Sequence, residues 1–277
     1  MQSRILIVKC GNSYLKCYMN NIMEKKNILI TGASRGIGEQ LALHYAKAGT
    51  NLILVARDAQ RLLGVAQNCL QKKANVITHN IDIADDVALK EFIIKIDKQY
   101  PIDLVIANAG ASGTLSKDWS IENEVASANV LRVNVLGSLN TINPLIERMI
   151  SRQSGQIAIM SSLAGLRGLP QSPSYSASKA YLHVYAQSLR AWLKRYNIRV
   201  SVICPGYVNT DMSRKLSGPK PFLLSSEKAA QIIKKGLLHN KACIAFPRSL
   251  YWLARMSQIL PSALVDRILN NYESYVE

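Results

Sequence analysis

The stretch Asn27-Ile28-Leu29-Ile30-Thr31-Gly32-Ala33-Ser34-Arg35-Gly36-Ile37-Gly38 decides how this chain is read. A short apolar run enters a turn with three glycines, and Ile37, Leu41, Leu43, Tyr45 and Ala46 follow at mostly helical spacing. That is strand, turn and helix. Glycine lets the backbone approach a ligand closely, and a helix N-terminus offers amide donors and positive potential, so such a turn suits a pyrophosphate. Glycines in a turn also serve chains that bind nothing, by supplying φ > 0; placement directly after the first strand favours the phosphate reading.

The unit repeats outward from there. Leu52 to Ala56 is apolar and strand-like, Asp58 caps a helix over Ala59 to Lys73, and Val76 to Asn80 reads as a third strand. A helix from Asp85 to Gln99 leads to a strand at Asp103 to Asn108, and a long helical stretch runs through Leu131 to Ser151. A strand at Gln156 to Ser161, a helix from Ser174 to Tyr196 and a strand at Val200 to Cys204 follow. Such alternation implies an α/β fold, a Rossmann-like, doubly wound, mainly parallel sheet of about seven strands with helices on both faces. Ligands then sit outside the carboxyl ends of the strands.

Composition bounds the alternatives. With 277 residues, 48% hydrophobic and 19% charged, the chain can bury one sizeable core but is short for two large domains. No apolar run approaches the roughly 20 residues of a membrane span. Ile5-Leu6-Ile7-Val8 is cut short by Lys9, which argues against a secretory leader and for a cytoplasmic protein. Five scattered cysteines without a C-x-x-C, and the dispersed His44, His79, His183 and His239, signal neither disulfides nor a metal. The net charge of +16 is spread along the chain rather than gathered in an arm, so a phosphate-rich small ligand fits better than nucleic acid.

Further motifs follow in order. Ala107-Asn108-Ala109-Gly110 ends the fourth strand, Asn134 lies in the next helical stretch, and Ser161-Ser162-Leu163-Ala164-Gly165 follows the fifth strand. Tyr175-Ser176-Ala177-Ser178-Lys179 opens a helix, and Pro205-Gly206-Tyr207-Val208-Asn209-Thr210 follows the next strand. Together with Thr31-Gly32-x-x-x-Gly36-x-Gly38, this set resembles the short-chain dehydrogenase/reductase family of the Tyr-x-x-x-Lys type over about Asn27 to Phe246. Ala107 departs from the family's first Asn, while Asn108 remains for the polar contacts.

The resemblance implies an oxidoreductase interconverting a carbonyl and an alcohol, with Asn134, Ser162, Tyr175 and Lys179 catalytic. Gly32, Ser34, Arg35, Gly36, Ile37 and Gly38 would hold the cofactor's phosphates. Asp82, Asn108, Ala109 and Gly110, and Pro205, Gly206, Val208 and Thr210, would complete its site. Tyr175 and Lys179 are the only Tyr-to-Lys pair four apart, hence on one helix face. A tyrosine pKa near 10 must fall by roughly 3 units, about 4 kcal/mol, for a phenolate at neutral pH; Lys179 and a cationic nicotinamide are suited to lower it. Ser162 would polarise the substrate carbonyl, with Ser161 less favoured. Asn134 would hold a water linking Lys179 to solvent, and Lys179 would also bind the nicotinamide ribose. Tyr181, His183 and Tyr185 read as packing or interface residues.

After the second strand comes Arg57 rather than an acid, and Arg35 can approach the same 2′-phosphate, so NADP(H) is favoured over NAD(H). Leu163, Leu166, Leu169 and Pro170, with the segment from Thr210 to Ser226, suggest an apolar pocket with a mobile lid for a non-polar ketone, aldehyde or alcohol. The other readings are a 3-oxoacyl-carrier-protein reductase, disfavoured by the continuation beyond Phe246, and a non-catalytic nucleotide-binding scaffold, disfavoured by the intact Tyr-Lys pair. Residues 1–22 read as a dispensable extension without a strand partner for Ile5 to Val8, 23–247 as the catalytic domain starting at Met23, and 248–277 as an amphipathic tail. In that tail Leu250, Leu253, Met256, Ile259 and Leu260, then Leu264, Val265, Ile268 and Leu269, give two short helices with Arg248, Arg255 and Arg267. Packing over the cleft, a partner copy in a homo-oligomer, or peripheral membrane contact are its candidate roles.

Overall fold

The computed structural model describes residues 6–10, 13–17, 26–113, 122–216 and 218–270; Met23 and the tail beyond 270 lie outside them. Strands β1 (Leu6–Cys10) and β2 (Ser13–Cys17) form an antiparallel pair of their own, so the apolar run near the start does have a strand partner, in the next few residues. The main body alternates β3 (Asn27–Thr31), α1 (Gly36–Tyr45), β4 (Asn51–Ala56), α2 (Ala59–Gln71), β5 (Asn75–Asn80), α3 (Asp86–Gln99) and β6 (Leu104–Ala107). Then come α4 (Glu124–Leu131), a π-helical turn (Arg132–Leu136), α5 (Gly137–Ser151), β7 (Gly155–Met160), α6 (Pro173–Leu193) and β8 (Ile198–Pro205). Two-residue β9 (Val208–Asn209), α7 (Asp211–Arg214), two-residue β10 (Leu224–Ser225), α8 (Ser226–Leu238), β11 (Cys243–Phe246), α9 (Arg248–Met256) and α10 (Ser262–Asn270) close the series.

Seven strands form one parallel sheet in the order β11-β8-β7-β6-β3-β4-β5. Alternate residues enter opposite cores: Leu29, Ile53, Val105 and Ile157 face α3, α5 and α6, while Ile28, Leu52, Leu104 and Ala158 face α1, α2 and α8. Burial on both faces explains the near-continuous apolar strands. The order reverses between β3 and β6, which opens a crevice at their carboxyl ends.

The opposite ends are laced together. Asn51 donates to Asn27 Oδ1 at 2.7 Å and Asn75 donates to Asn51 Oδ1 at 2.9 Å, a ladder across the first residues of β3, β4 and β5. Asp103 Oδ2 accepts from the backbone amides of Lys26 and Asn27 at 2.9 and 3.0 Å, extending the ladder toward β6.

Candidate active site

The glycine turn is built to its residues. Gly32 and Gly36 have φ of +67° and +58°, the left-handed region that disfavours side chains. A Cβ on Gly38 would lie 2.2 Å from the Gly32 carbonyl oxygen, so α1 starts closer to the strand than any other residue permits. Asn108 fixes the turn from below, its Nδ2 donating to the carbonyls of Thr31 and Gly32 at 3.0 and 3.2 Å. Its backbone amide and that of Ala109 donate to Thr31 Oγ1. Ser34 is buried in the turn and Ile37 packs into the core beneath. Asp58, Asp85, Thr210 and Ser225 cap α2, α3, α7 and α8, but among the described residues no side chain caps α1. α1 shares this with α6 and α9, and beside the glycine turn its first amides are open to an anion.

Across the crevice, α6 carries Tyr175 and Lys179. Lys179 is 4% exposed, and its Nζ donates to the Met160 carbonyl at 3.0 Å and lies 5.6 Å from the centre of the Tyr175 ring. Burial lowers its pKa to about 8. Burial pushes the Tyr175 pKa up, the Ser162 hydroxyl hydrogen-bonded to it pulls the other way, and Tyr207 adds to the rise. The lowered tyrosine pKa expected from the sequence is therefore absent in the chain alone, because desolvation outweighs the influence of Ser162. The two serines separate cleanly. Ser161 turns inward and donates to the Lys179 carbonyl at 2.7 Å, whereas Ser162 sits at the mouth, beside Tyr175 and 3.4 Å from the Pro205 carbonyl.

Asn134 lies within the π-helical turn, whose wider winding places its amide deep in the fold. Its Oδ1 accepts from Ala111 N at 2.7 Å, and Nδ2 donates to the Ala111 carbonyl and to Ser178 Oγ at 3.0 and 2.9 Å. A Cβ on Gly110 would lie 3.1 Å from Asn134 Oδ1 and 3.5 Å from Lys179 Nζ, so these three converge. Ser178 and Tyr207 stand inside motifs read from the sequence but carried no role there. Ser178 lay in plain view inside the Tyr-to-Lys motif; nothing in the spacing marked Tyr207.

The expected phosphate clamp is looser. Arg57 stands 3.8 Å from Asp82, which also faces Arg132 at 3.6 Å; Arg35 stands 3.6 Å from Asp211. Arg61, which the sequence did not single out, binds Asp211 more closely, at 2.7 Å, and Arg214 joins the same carboxylate. Arg61 and Arg214 hold the Asp211 carboxyl below its usual range. Gly206 N donates to the Phe246 carbonyl at 2.7 Å, Val208 is buried, and Thr210 accepts from Ser213 N as the α7 cap while its methyl approaches Gly36.

Other expectations shift. Leu163 and Leu166 belong to the core. Leu166 also lines, with Leu169 and Pro170, a groove of about 760 Å³ bordered by Ala177, Ala180 and Val184 of α6 and Arg255, Gln258 and Leu269 of the tail. At 100° per residue, Ala180 and Val184 lie on roughly the opposite side of α6 from Tyr175, and neither Tyr175 nor Ser162 lines the groove. The described part of the tail thus borders a groove that Tyr175 and Ser162 do not line. His183 is a packing residue, set between Cys204 Sγ at 3.4 Å and Gln187 at 3.1 Å, and Tyr185 stacks on Tyr181.

A doubly wound parallel sheet with this turn and this Tyr-Ser-Lys grouping defines a dinucleotide-dependent oxidoreductase fold. Residues 26–220 match the family model described as short chain dehydrogenase, and the chain belongs to that family. It is 33% identical over 245 residues, 88% of its length and 96% of the relative's, to an uncharacterized oxidoreductase of Myxococcus xanthus. Of some longer relatives it spans only 59–60%. Two solved structures share the fold: a short-chain dehydrogenase from Sphingobium yanoikuyae in complex with NADPH (21% identity, TM-score 0.73, 90% of this chain and 96% of that one), and one from Burkholderia phymatum in complex with NAD (20%, 0.76, 85% and 93%).

Proposed function

We propose that this oxidoreductase interconverts an apolar carbonyl and its alcohol with NADP(H), using Tyr175 as general acid and base. The observation that carries the reading is the buried Lys179, its Nζ bonded to the Met160 carbonyl at 3.0 Å and 5.6 Å from the centre of the Tyr175 ring, with Ser162 two residues after Met160 and the uncapped α1 across the crevice. The glycine cradle and α1 amides would hold the pyrophosphate, Arg35 and Arg57 the 2′-phosphate, and Lys179 the nicotinamide ribose. Asp82, Asn108, Ala109, Gly110, Pro205, Gly206, Val208 and Thr210 would border the rest.

A bound nicotinamide would supply or accept the hydride. The raised pKa keeps Tyr175 Oη protonated, ready to give its proton to a carbonyl oxygen that Ser162 Oγ also hydrogen-bonds. In the reverse direction Oη must lose its proton, and the ammonium of Lys179 favours that loss. Asn134 is a positioning residue that ties the strand-end segment at Ala111 to α6 through Ser178.

Arg35 and Arg57 are more than half exposed and pair at 3.6 and 3.8 Å, so little is lost when they turn to a phosphate. An apolar substrate fits the solvent-facing Phe222 and Leu223 in the segment read as a lid. A homo-oligomer fits the exposed Tyr181 and Trp192 of α6, and a cytoplasmic site fits the free Cys69, Cys204 and Cys243. A purely scaffolding role leaves the assembled Tyr175, Ser162 and Lys179 unexplained. The test is a panel of apolar ketones and aldehydes, each with NADPH and with NADH, followed at the reduced-nicotinamide absorbance. Oxidation with NADPH, faster than with NADH, is expected; no turnover across the panel with either cofactor overturns the proposal.

A further inference from the structure

Each helix of the tail is apolar on two sides. Leu250, Tyr251 and Ala254 of α9 pack on the core and Val265 of α10 is buried, so both helices are already docked. Yet Trp252, Leu253 and Met256 face solvent from α9, with Trp252 61% and Leu253 66% exposed. Ile259, 79% exposed, and Leu260 continue the stripe into the turn before Pro261, and Leu264 and Ile268 form a second stripe on α10. Large apolar side chains gathered this way mark an interaction surface rather than scattered exposure.

Charge selects the occupant. Arg248, Arg255 and Arg267 lie in the same two helices, whose one acid, Asp266, is engaged by Arg167 at 2.5 Å. A two-fold contact between copies through these two helices would bring this basic patch onto itself, with no carboxylate of either helix left free to offset it. An anionic surface meets both needs. Nine residues per helix are too few to cross a bilayer, so the helices lie in its interface. We propose that α9 and α10 dock the protein on an anionic lipid bilayer, inserting Trp252, Leu253, Met256 and Ile259 while the arginines meet the headgroups.

The test is co-sedimentation of the full chain with phosphatidylcholine vesicles, with and without about 30% phosphatidylserine, at low and high salt. Sedimentation with the anionic vesicles, weakened by salt, is expected. The triple variant Trp252→Ser, Leu253→Ser, Met256→Ser should lower the partition at least about tenfold with an unchanged melting temperature. Should that variant fail to fold, Arg248→Gln with Arg255→Gln keeps the core contacts and should lower binding to anionic vesicles about tenfold. The proposal is overturned if the wild-type chain stays in the supernatant with anionic vesicles, or binds both vesicle types equally. It is equally overturned if the Ser variant halves the solution mass while vesicle binding is absent, which assigns the patch to a second copy.

Discussion

Lys179 and Arg57 are cations at the same carboxyl edge of the sheet, and the fold treats them in opposite ways. Lys179 is buried and tied to the Met160 carbonyl, with its pKa lowered to about 8, whereas Arg57 is 60% exposed and only loosely paired with Asp82. The difference separates two kinds of function. A buried ammonium is part of the chemistry's fixed electrostatics, present before any ligand arrives. An exposed guanidinium can choose between partners and so suits discrimination between ligands differing by one phosphate.

The comparison is sharpest at the residue that the buried cation faces. Tyr175→Phe removes only the proton that is exchanged, and should lower turnover by about 10²–10⁴-fold while NADPH affinity stays close to wild type, as read by fluorescence titration. Turnover near wild type with a substrate whose chemical step limits the rate would break it. Lys179→Met should cost both turnover and cofactor affinity, and should change how stability depends on pH. Folding lowers this lysine's pKa from 10.5 to about 8, so between those values the unfolded chain binds more protons and stability rises with pH. The wild type should therefore gain stability relative to Lys179→Met between pH 8 and 10.5 in denaturant titrations. A difference independent of pH would mean that the ammonium is not desolvated.

Asn134→Ala strands the amide and carbonyl of Ala111 and should destabilise the fold by about 1–3 kcal/mol in urea. If it lowers turnover without lowering stability, its role is in proton exchange rather than positioning. Arg57→Ala should weaken NADPH about tenfold and leave NADH nearly unchanged. Equal weakening of both would erase the contrast with Lys179. The smallest effect is expected from removing residues 1–22, whose β1 and β2 pair with each other and, among the described residues, with no other strand. Melting temperature and NADPH affinity should not move.

Much of this was legible because it is local. The strand from Asn27 to Thr31 and the glycine turn appear where the sequence placed them, and Asp58 caps α2 by accepting from Arg61 N. Other features were hidden for physical reasons. The π-helical turn at Arg132–Leu136 has the composition of ordinary helix, so periodicity ran straight through it. Arg61 and Asp211 are 150 residues apart, a separation no spacing rule spans. The direction of the Tyr175 shift depends on burial, which a list of neighbouring charges does not contain.

The asparagine ladder across β3, β4 and β5 has its own consequence. It fastens the strands at their amino ends, the full depth of the sheet away from the crevice, through side chains that bond to one another in strand order. A strand slipped by one residue would break that chain of amides as well as turn its apolar residues to the wrong core. The molecule works like a bound book, its spine stitched by Asn27, Asn51 and Asn75 and its pages free to differ at the open edge. Loops at that edge can be rewritten for new substrates with the registration of the sheet undisturbed.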